Sequence, residues 1–329
     1  MSVPLSILDL APVRRGETAA DSFAASVALA RLAETAGFRR VWYAEHHNMP
    51  SIASSATSVL IAHVAAHTDR IRLGAGGIML PNHSPLVIAE QFGTLETLHP
   101  GRIDLGLGRA PGSDRTTMYA LRRDHTSADR FGDDVLELQG YLGEESRVPG
   151  VHANPGRGTH VPLYILGSSL FGAQLAALLG LPYAFASHFA PAALQAAVET
   201  YRREFRPSEQ LEGPHVIAGV NVIAADEQAD ALEQLQKAKR ARVRALARPG
   251  LQFTDEQADQ VLASGEGRQI EQMVVYSAVG TPDVVGEYLA GFVEHADADE
   301  LMVALQSPTV EQRLRSAELL AAEMLSPVT

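Results

Sequence analysis

The chain contains no cysteine. Disulfides, thiolate metal centres, iron–sulfur clusters and a cysteine nucleophile are therefore excluded. It has two lysines among its 329 residues, Lys237 and Lys239, both inside the charged run KAKRAR. A Walker-type phosphate lysine and a Schiff-base lysine on a core strand are absent as well. Positive charge is in deficit, with 27 basic against 39 acidic side chains and a formal net charge of −12. The clustered Lys and Arg of a nucleic-acid footprint are missing. No apolar run approaches the roughly 20 residues of a membrane-spanning helix. The opening MSVPLSILDLAPV lacks the basic start and small-residue cleavage site of a secretory leader. The expectation is a cytoplasmic protein with neither membrane nor nucleic acid as partner.

What is present has a rhythm. Short apolar runs predict strands over residues 3–8, 40–44, 71–79, 102–108, 161–166, 183–186, 216–224 and 300–305. Helical stretches alternate with them. Gly37 stands where one helix needs a C-cap, and Ser84 with Pro85 forms a favoured helix start. Eight β-then-α units without a break in composition predict a closed (β/α)₈ TIM barrel rather than a doubly wound sheet. The chain reads as one domain over 1–329, with 226–276 a helical insertion after strand seven.

In such a barrel, function collects at the C-terminal strand ends. The residues expected there are Asp9, Glu45-His46-His47, Gly74-Ala75-Gly76-Gly77, Gly108-Arg109, Gly167-Ser168-Ser169 and Ser187-His188. The two serines directly precede an amphipathic helix, so free N–H groups and the helix dipole suit an anion, with Arg109 supplying charge. Ser168 as a plain N-cap, with Arg109 in an ion pair, is the alternative. GAGG inside a strand marks either a close approach by a ligand or a taper in the barrel interior. Neighbouring side chains on a strand point to opposite faces, so at most one of His46 and His47 enters the mouth.

Other readings compete. GLGRAPG follows a strand, yet its third glycine, Gly112, comes one position late and Pro111 precedes it, so the dinucleotide fingerprint fails. His63 and His67 have the i, i+4 spacing of zinc ligands but lack the glutamate of H-E-x-x-H and read as surface or packing residues. A metal site from His46, His188 and Asp9, as in a barrel hydrolase, is the least favoured; no metal is expected.

The segments WYAEHHNMP, RLGAGGIMLPNHSPLVIAEQFG, GRIDLGLGRAPGSD, ILGSSLFGAQLAALLGLPYAFASHFAP and VGTPDVV resemble the bacterial luciferase-like, flavin-dependent monooxygenases, and more narrowly the group 1 luciferase family oxidoreductases. The resemblance runs from about Leu5 to Ala304 and is weakest over 226–276. It implies a TIM barrel that binds FMN and, with the flavin reduced, uses O₂ to oxygenate a small organic substrate. His46 then matches the active-site histidine beside the flavin. Gly76–Gly77 falls where the family has a non-prolyl cis peptide against the flavin ring. Arg109, Gly167, Ser168 and Ser169 match the phosphate site, while Asp9, His188 and the insertion shape the substrate side. Gly108 stands where luciferase has its reactive cysteine, and Gly167 where it has an acidic residue, which argues against light emission. The same resemblance implies reduced FMN from a separate flavin reductase, or NAD(P)H acting in place, and a homodimer. A flavin-binding protein without turnover and an F420-dependent oxidoreductase are the alternative readings.

Overall fold

Nine short strands form one sheet in which every pairing is parallel: β1 (Leu5–Asp9), β2 (Arg40–Tyr43), β3 (Arg72–Met79), β4 (Ile103–Gly108), β5 (Leu163–Gly167), β6 (Tyr183–Phe185), β7 (Val216–Ala224), β8 (Ser277–Gly280) and β9 (Glu300–Leu305). The computed structural model describes residues 3–110, 114–124, 126–246 and 253–325. Strands β1 to β7 follow one another round the ring, and β9 closes it between β7 and β1. That is the eight-stranded barrel the alternation predicts.

The ninth strand was not legible. β6 is only three residues long and pairs β7 at Val216, Ile217 and Ala218. The upper edge of β7, from Asn221 to Ala224, is left free, and β8 takes it. The excursion at 226–276 is helical as expected, with α8 (Gln228–Leu246), α9 (Asp255–Leu262) and α10 (Gly267–Met273), and it returns through β8. Several of its charges pair with one another: Lys237 with Glu233 at 2.7 Å, Lys239 with Glu271 at 2.9 Å, and Arg240 with Asp259 at 2.6 Å.

The remaining α-helices among the described residues are α1 (Ala19–Ala36), α2 (Thr57–Ala65), α3 (Pro85–Leu98), α4 (Arg115–Ala120), α5 (Phe131–Leu142), α6 (Leu170–Leu179), α7 (Leu194–Glu204), α11 (Pro282–Ala296) and α12 (Val310–Met324). α1 starts at Thr18, whose side chain and that of Asp21 cap each other's backbone N–H, and stops at Gly37 in the left-handed region, φ 89°. Ser84 occupies the N-cap of α3, with Pro85 in its first turn, but its side chain makes no capping bond.

Alternation along the strands builds two apolar layers. Leu5, Ile7, Val41, Tyr43 and Leu105 pack against the helices, while Leu8, Trp42, Tyr164, Ile217 and Met302 fill the barrel interior. Beneath that interior layer the N-terminal end is plugged by an ionic network. Arg40 pairs with Asp104 at 2.8 Å and Glu300 at 3.0 Å, and Trp42 Nε1 donates to Asp104 at 3.0 Å. Every buried charge there has an opposite partner, the condition under which such charges persist away from water. Among the described residues no helix is long and apolar enough to cross a membrane.

Candidate active site

The chain leaving β2 carries the only adjacent histidine pair in the sequence, and the backbone separates the two. His47 Nε2 lies 2.9 Å from Glu45 Oε1. His46, three residues beyond β2, is fixed by its N–H to Ser54 O, 3.0 Å, and its buried Nδ1 has no partner among the described residues. Burial pushes the His46 imidazole below its ordinary pKa, with Glu45 opposing and His47 assisting. His46 is thus a neutral ring with an unused nitrogen.

Glu45 is the anchor of this corner. Its carboxylate meets His47, receives His83 Nε2 at 2.9 and 3.0 Å, and accepts Met79 N–H at 3.2 Å. Burial alone would raise its pKa, but these hydrogen bonds outweigh it and hold the carboxyl at about 2. The ligand atoms of Glu45, His47 and His83 lie within 4.8 Å of one another, and their mutual hydrogen bonds account for the convergence. Sequence reasoning missed this cluster. Glu45 and His47 are neighbours, but nothing in the chain marks His83, on the far side of β3, as the third member.

Between these groups runs the GAGG segment. The Gly76–Gly77 peptide is cis, and the β3–β4 register shifts between Ala75 and Ile78. A Cβ on Gly76 would sit 2.8 Å from Trp42 Cβ and 2.9 Å from Leu8 Cδ1. One on Gly77 would sit 2.8 Å from Gly106 O. The missing side-chain volume is occupied by the barrel's own atoms, so tight interior packing by itself requires glycine at both positions.

At the end of β4, Arg109 leans across to α6. Its guanidinium lies 4.2 Å from the Phe171 ring centroid, and its Nε donates to Ala128 O at 3.2 Å. Its contact with Asp129 is long, 3.9 Å, and both side chains are exposed. Ser169, not Ser168, is the N-cap of α6, and its hydroxyl makes no capping bond. Both serines are exposed, and Tyr183 donates to Ser169 O at 3.0 Å, fixing the loop. The first-turn N–H groups of α6 are therefore not satisfied by that side chain, and a cation stands over the same turn. Gly167 has room for a Cβ, its nearest neighbours being 3.6 Å away. Pro111 and Gly112, which enter the dinucleotide argument, lie outside the described residues.

Beyond β6, His188 leans on β7. A Cβ on Gly219 would come within 2.3 Å of His188 Nδ1, so glycine there makes the space the ring uses. Burial, with nearby Arg242 and His46, pushes His188 down to about 3; its Nδ1 too has no partner among the described residues. The structure thus brings His46 and His188 into electrostatic contact.

Asp9 is elsewhere. Its carboxylate accepts from Ser26 Oγ (2.6 Å) on α1, Ala11 N–H (2.7 Å) and Arg313 (3.0 Å) on α12. It points into the helical layer because alternation puts Leu8, not Asp9, on the interior face. The rings of His63 and His67 touch at an interplanar angle of 58°, centroids 4.6 Å apart, with His67 Nδ1 2.7 Å from His63 O. A cleft of about 680 Å³ lies outside the barrel wall, lined by Leu235, Arg268, Val279 and Tyr288, and none of the strand-end groups above lines it.

The model of the luciferase-like monooxygenases matches residues 3–299. The chain belongs to that family. A luciferase-like monooxygenase of Escherichia coli K12 is 49% identical over 322 residues, 97% of this chain and 96% of that one. Among solved structures, apo-MsnO8 superposes with a TM-score of 0.87 at 35% identity, covering 99% of this chain and 100% of the other. Two more distant barrels share the fold alone. One is the oxygenating component of 3,6-diketocamphane monooxygenase from Pseudomonas putida in complex with FMN (TM-score 0.72, 16% identity, 98% of each chain). The other is the coenzyme F420-dependent tetrahydromethanopterin reductase of Methanopyrus kandleri (TM-score 0.70, 17% identity, 99% of each chain). Membership of a monooxygenase family supports an oxidoreductase.

Proposed function

We propose that the chain is an FMN-dependent monooxygenase whose cofactor lies across the barrel mouth, its phosphate on the N-terminus of α6. The observation that carries this reading is the pairing of an unbonded Ser169 cap with Arg109 stacked over the same first turn. An anion there would meet free N–H groups, two serine hydroxyls and a guanidinium at once. Gly167, Ser168, Ser169 and Arg109 would hold the phosphate. The cis Gly76–Gly77 segment would face the ring, and the unused nitrogens of His46 and His188 supply polar partners beside it.

Reduced FMN, when bound, would supply the electrons with which O₂ oxygenates the substrate. The residues do the rest. His46, neutral and desolvated, holds or accepts a proton at Nδ1 next to the reacting centre. Leu8, Trp42 and Met302 floor the mouth with apolar surface and exclude water from below. A separate reductase or NAD(P)H as the source of electrons, a homodimer and a cytoplasmic setting belong to the same reading and rest on the family resemblance.

The decisive experiment titrates the purified chain with FMN, riboflavin and F420, then exposes the FMN-loaded, photoreduced protein to ¹⁸O₂ with candidate substrates. Tight FMN binding and ¹⁸O in a product support the reading. FMN binding with no oxygenated product favours a flavin carrier, and preference for F420 removes the oxygenase assignment.

A further inference from the structure

Each of the two buried arginines among the described residues has a carboxylate: Arg40 has Asp104 and Glu300, and Arg313 has Asp9. Arg242, on helix α8, is partly buried and forms no ion pair among the described residues. Its guanidinium instead leans on neutral carbonyl oxygens. One terminal nitrogen donates to Asn221 Oδ1 at 3.2 Å and Gln306 Oε1 at 3.1 Å, and the other reaches Met273 O at 3.5 Å. Burial lowers its pKa, with no carboxylate to offset it. Guanidinium carries five donors in a planar fork, so part of that fork has no protein acceptor among the described residues.

Its position says where the fork faces. Ile217 lies in the interior cluster, and the bare side of Gly219 meets His188. Alternation then puts Asn221 on the same inward face. Asn221 also donates to His188 O at 2.7 Å, tying Arg242 to the histidine beneath it. Gln306 follows directly on β9. Arg242 therefore stands over the β7–β9 side of the ring. In the barrel order, β7 is four places from β3 and so faces the Gly76–Gly77 segment across the mouth. The anion site at α6 follows β5, away from this side. A half-buried cation whose hydrogen-bond acceptors are all neutral is matched by a group with a full negative charge and paired oxygens.

We propose that Arg242 receives the anionic end of the substrate, so that the molecule oxygenated at this mouth is a small organic acid, a carboxylate or a sulfonate. The proposal rests on the monooxygenase reading for the word oxygenated, but the anion site itself can be tested without cofactor. The helical excursion acquires a function: it carries the recognition group over a barrel whose strand ends hold the cofactor.

The test is calorimetric titration of the FMN-free and FMN-loaded chain with hexanoate, hexanesulfonate and uncharged hexanamide, in wild type, Arg242→Met and Arg242→Lys. Wild type should bind at least one of the anions about tenfold or more tighter than the amide, which is about 1.4 kcal/mol. Arg242→Met should erase that preference, Arg242→Lys should keep part of it, and FMN affinity should be unchanged in both. Arg242→Gln replaces the Met variant if thermal unfolding shows the latter misfolded. Which anion binds tighter identifies the headgroup. Equal affinity for acid and amide in wild type, or binding of neither, overturns the proposal, as does a preference that survives the neutral variant. Weakened binding of FMN but not of riboflavin in Arg242→Met would make Arg242 a cofactor phosphate group and overturn it too. Failure of FMN to bind while the acid preference stands overturns the flavin reading alone.

Discussion

The guanidinium of Arg109 lies 4.2 Å from the centroid of Phe171, bracing the end of β4 against the first turn of α6. The contact holds the charge at the helix start without consuming its donors, because a ring face is no hydrogen-bond acceptor of the strength of a carboxylate. Arg109→Ala should therefore weaken FMN by roughly tenfold or more, the worth of one charge-assisted phosphate contact. Riboflavin, which lacks the phosphate, should bind as before. Fluorescence titration of the two flavins separates the outcomes: parallel loss of both would point to a folding defect, and loss of neither would remove Arg109 from the phosphate site.

His46 offers a buried nitrogen with no partner among the described residues. His46→Ala should lower product formation by about 10²–10⁴, the usual contribution of a positioned acid or base, with FMN affinity little altered. Its pKa is lowered, so the ring stays neutral as pH falls through 6.5, the ordinary histidine value. The wild-type rate should not fall at that pH through this group. A pH–rate profile breaking at 6.5, and flattened in His46→Ala, would contradict the burial argument.

Glu45 organises the corner between β2 and β3, and its effect on stability has a definite sign. Its folded pKa, about 2, lies below the ordinary carboxyl value of 4.5. Its contribution is full above 4.5 and disappears as pH drops toward 2. His47 is raised by its hydrogen bond to Glu45, so that contribution is present below 6.5 and fades as pH rises through the elevated value. Glu45→Gln should cost about 3 kcal/mol at neutral pH, as expected when one member of a buried charged set is removed. Denaturant unfolding at several pH values should show the gap closing on acidification.

Asp9→Asn should act through the fold. The carboxylate ties β1 to α1 through Ser26 and to α12 through Arg313, and leaving Arg313 buried without a counter-charge should cost on the order of 3 kcal/mol. Flavin affinity and turnover per folded molecule should stay close to wild type. A fall in substrate affinity with unchanged melting temperature would return Asp9 to the substrate pocket.

The sequence by itself determined the barrel, because eight apolar runs alternating with helical periods have few other ways to bury both faces of a parallel sheet. It also determined the strand ends that face the mouth, since chain direction fixes which end of a parallel strand is C-terminal. The positions of His46, Arg109 and Ser169 just beyond their strands were legible for that reason. Tertiary structure decided what depends on residues far apart in the chain. It turned Asp9 into the helical layer, made His83 the third member of the Glu45 cluster, and paired β8 with the edge that a short β6 leaves bare. It also carried Arg242 from a charged, solvent-facing stretch to Asn221 and Gln306 at the mouth. Local pattern records the period of one segment; which opposite charge a side chain meets, or whether it meets none, is set only when distant segments pack.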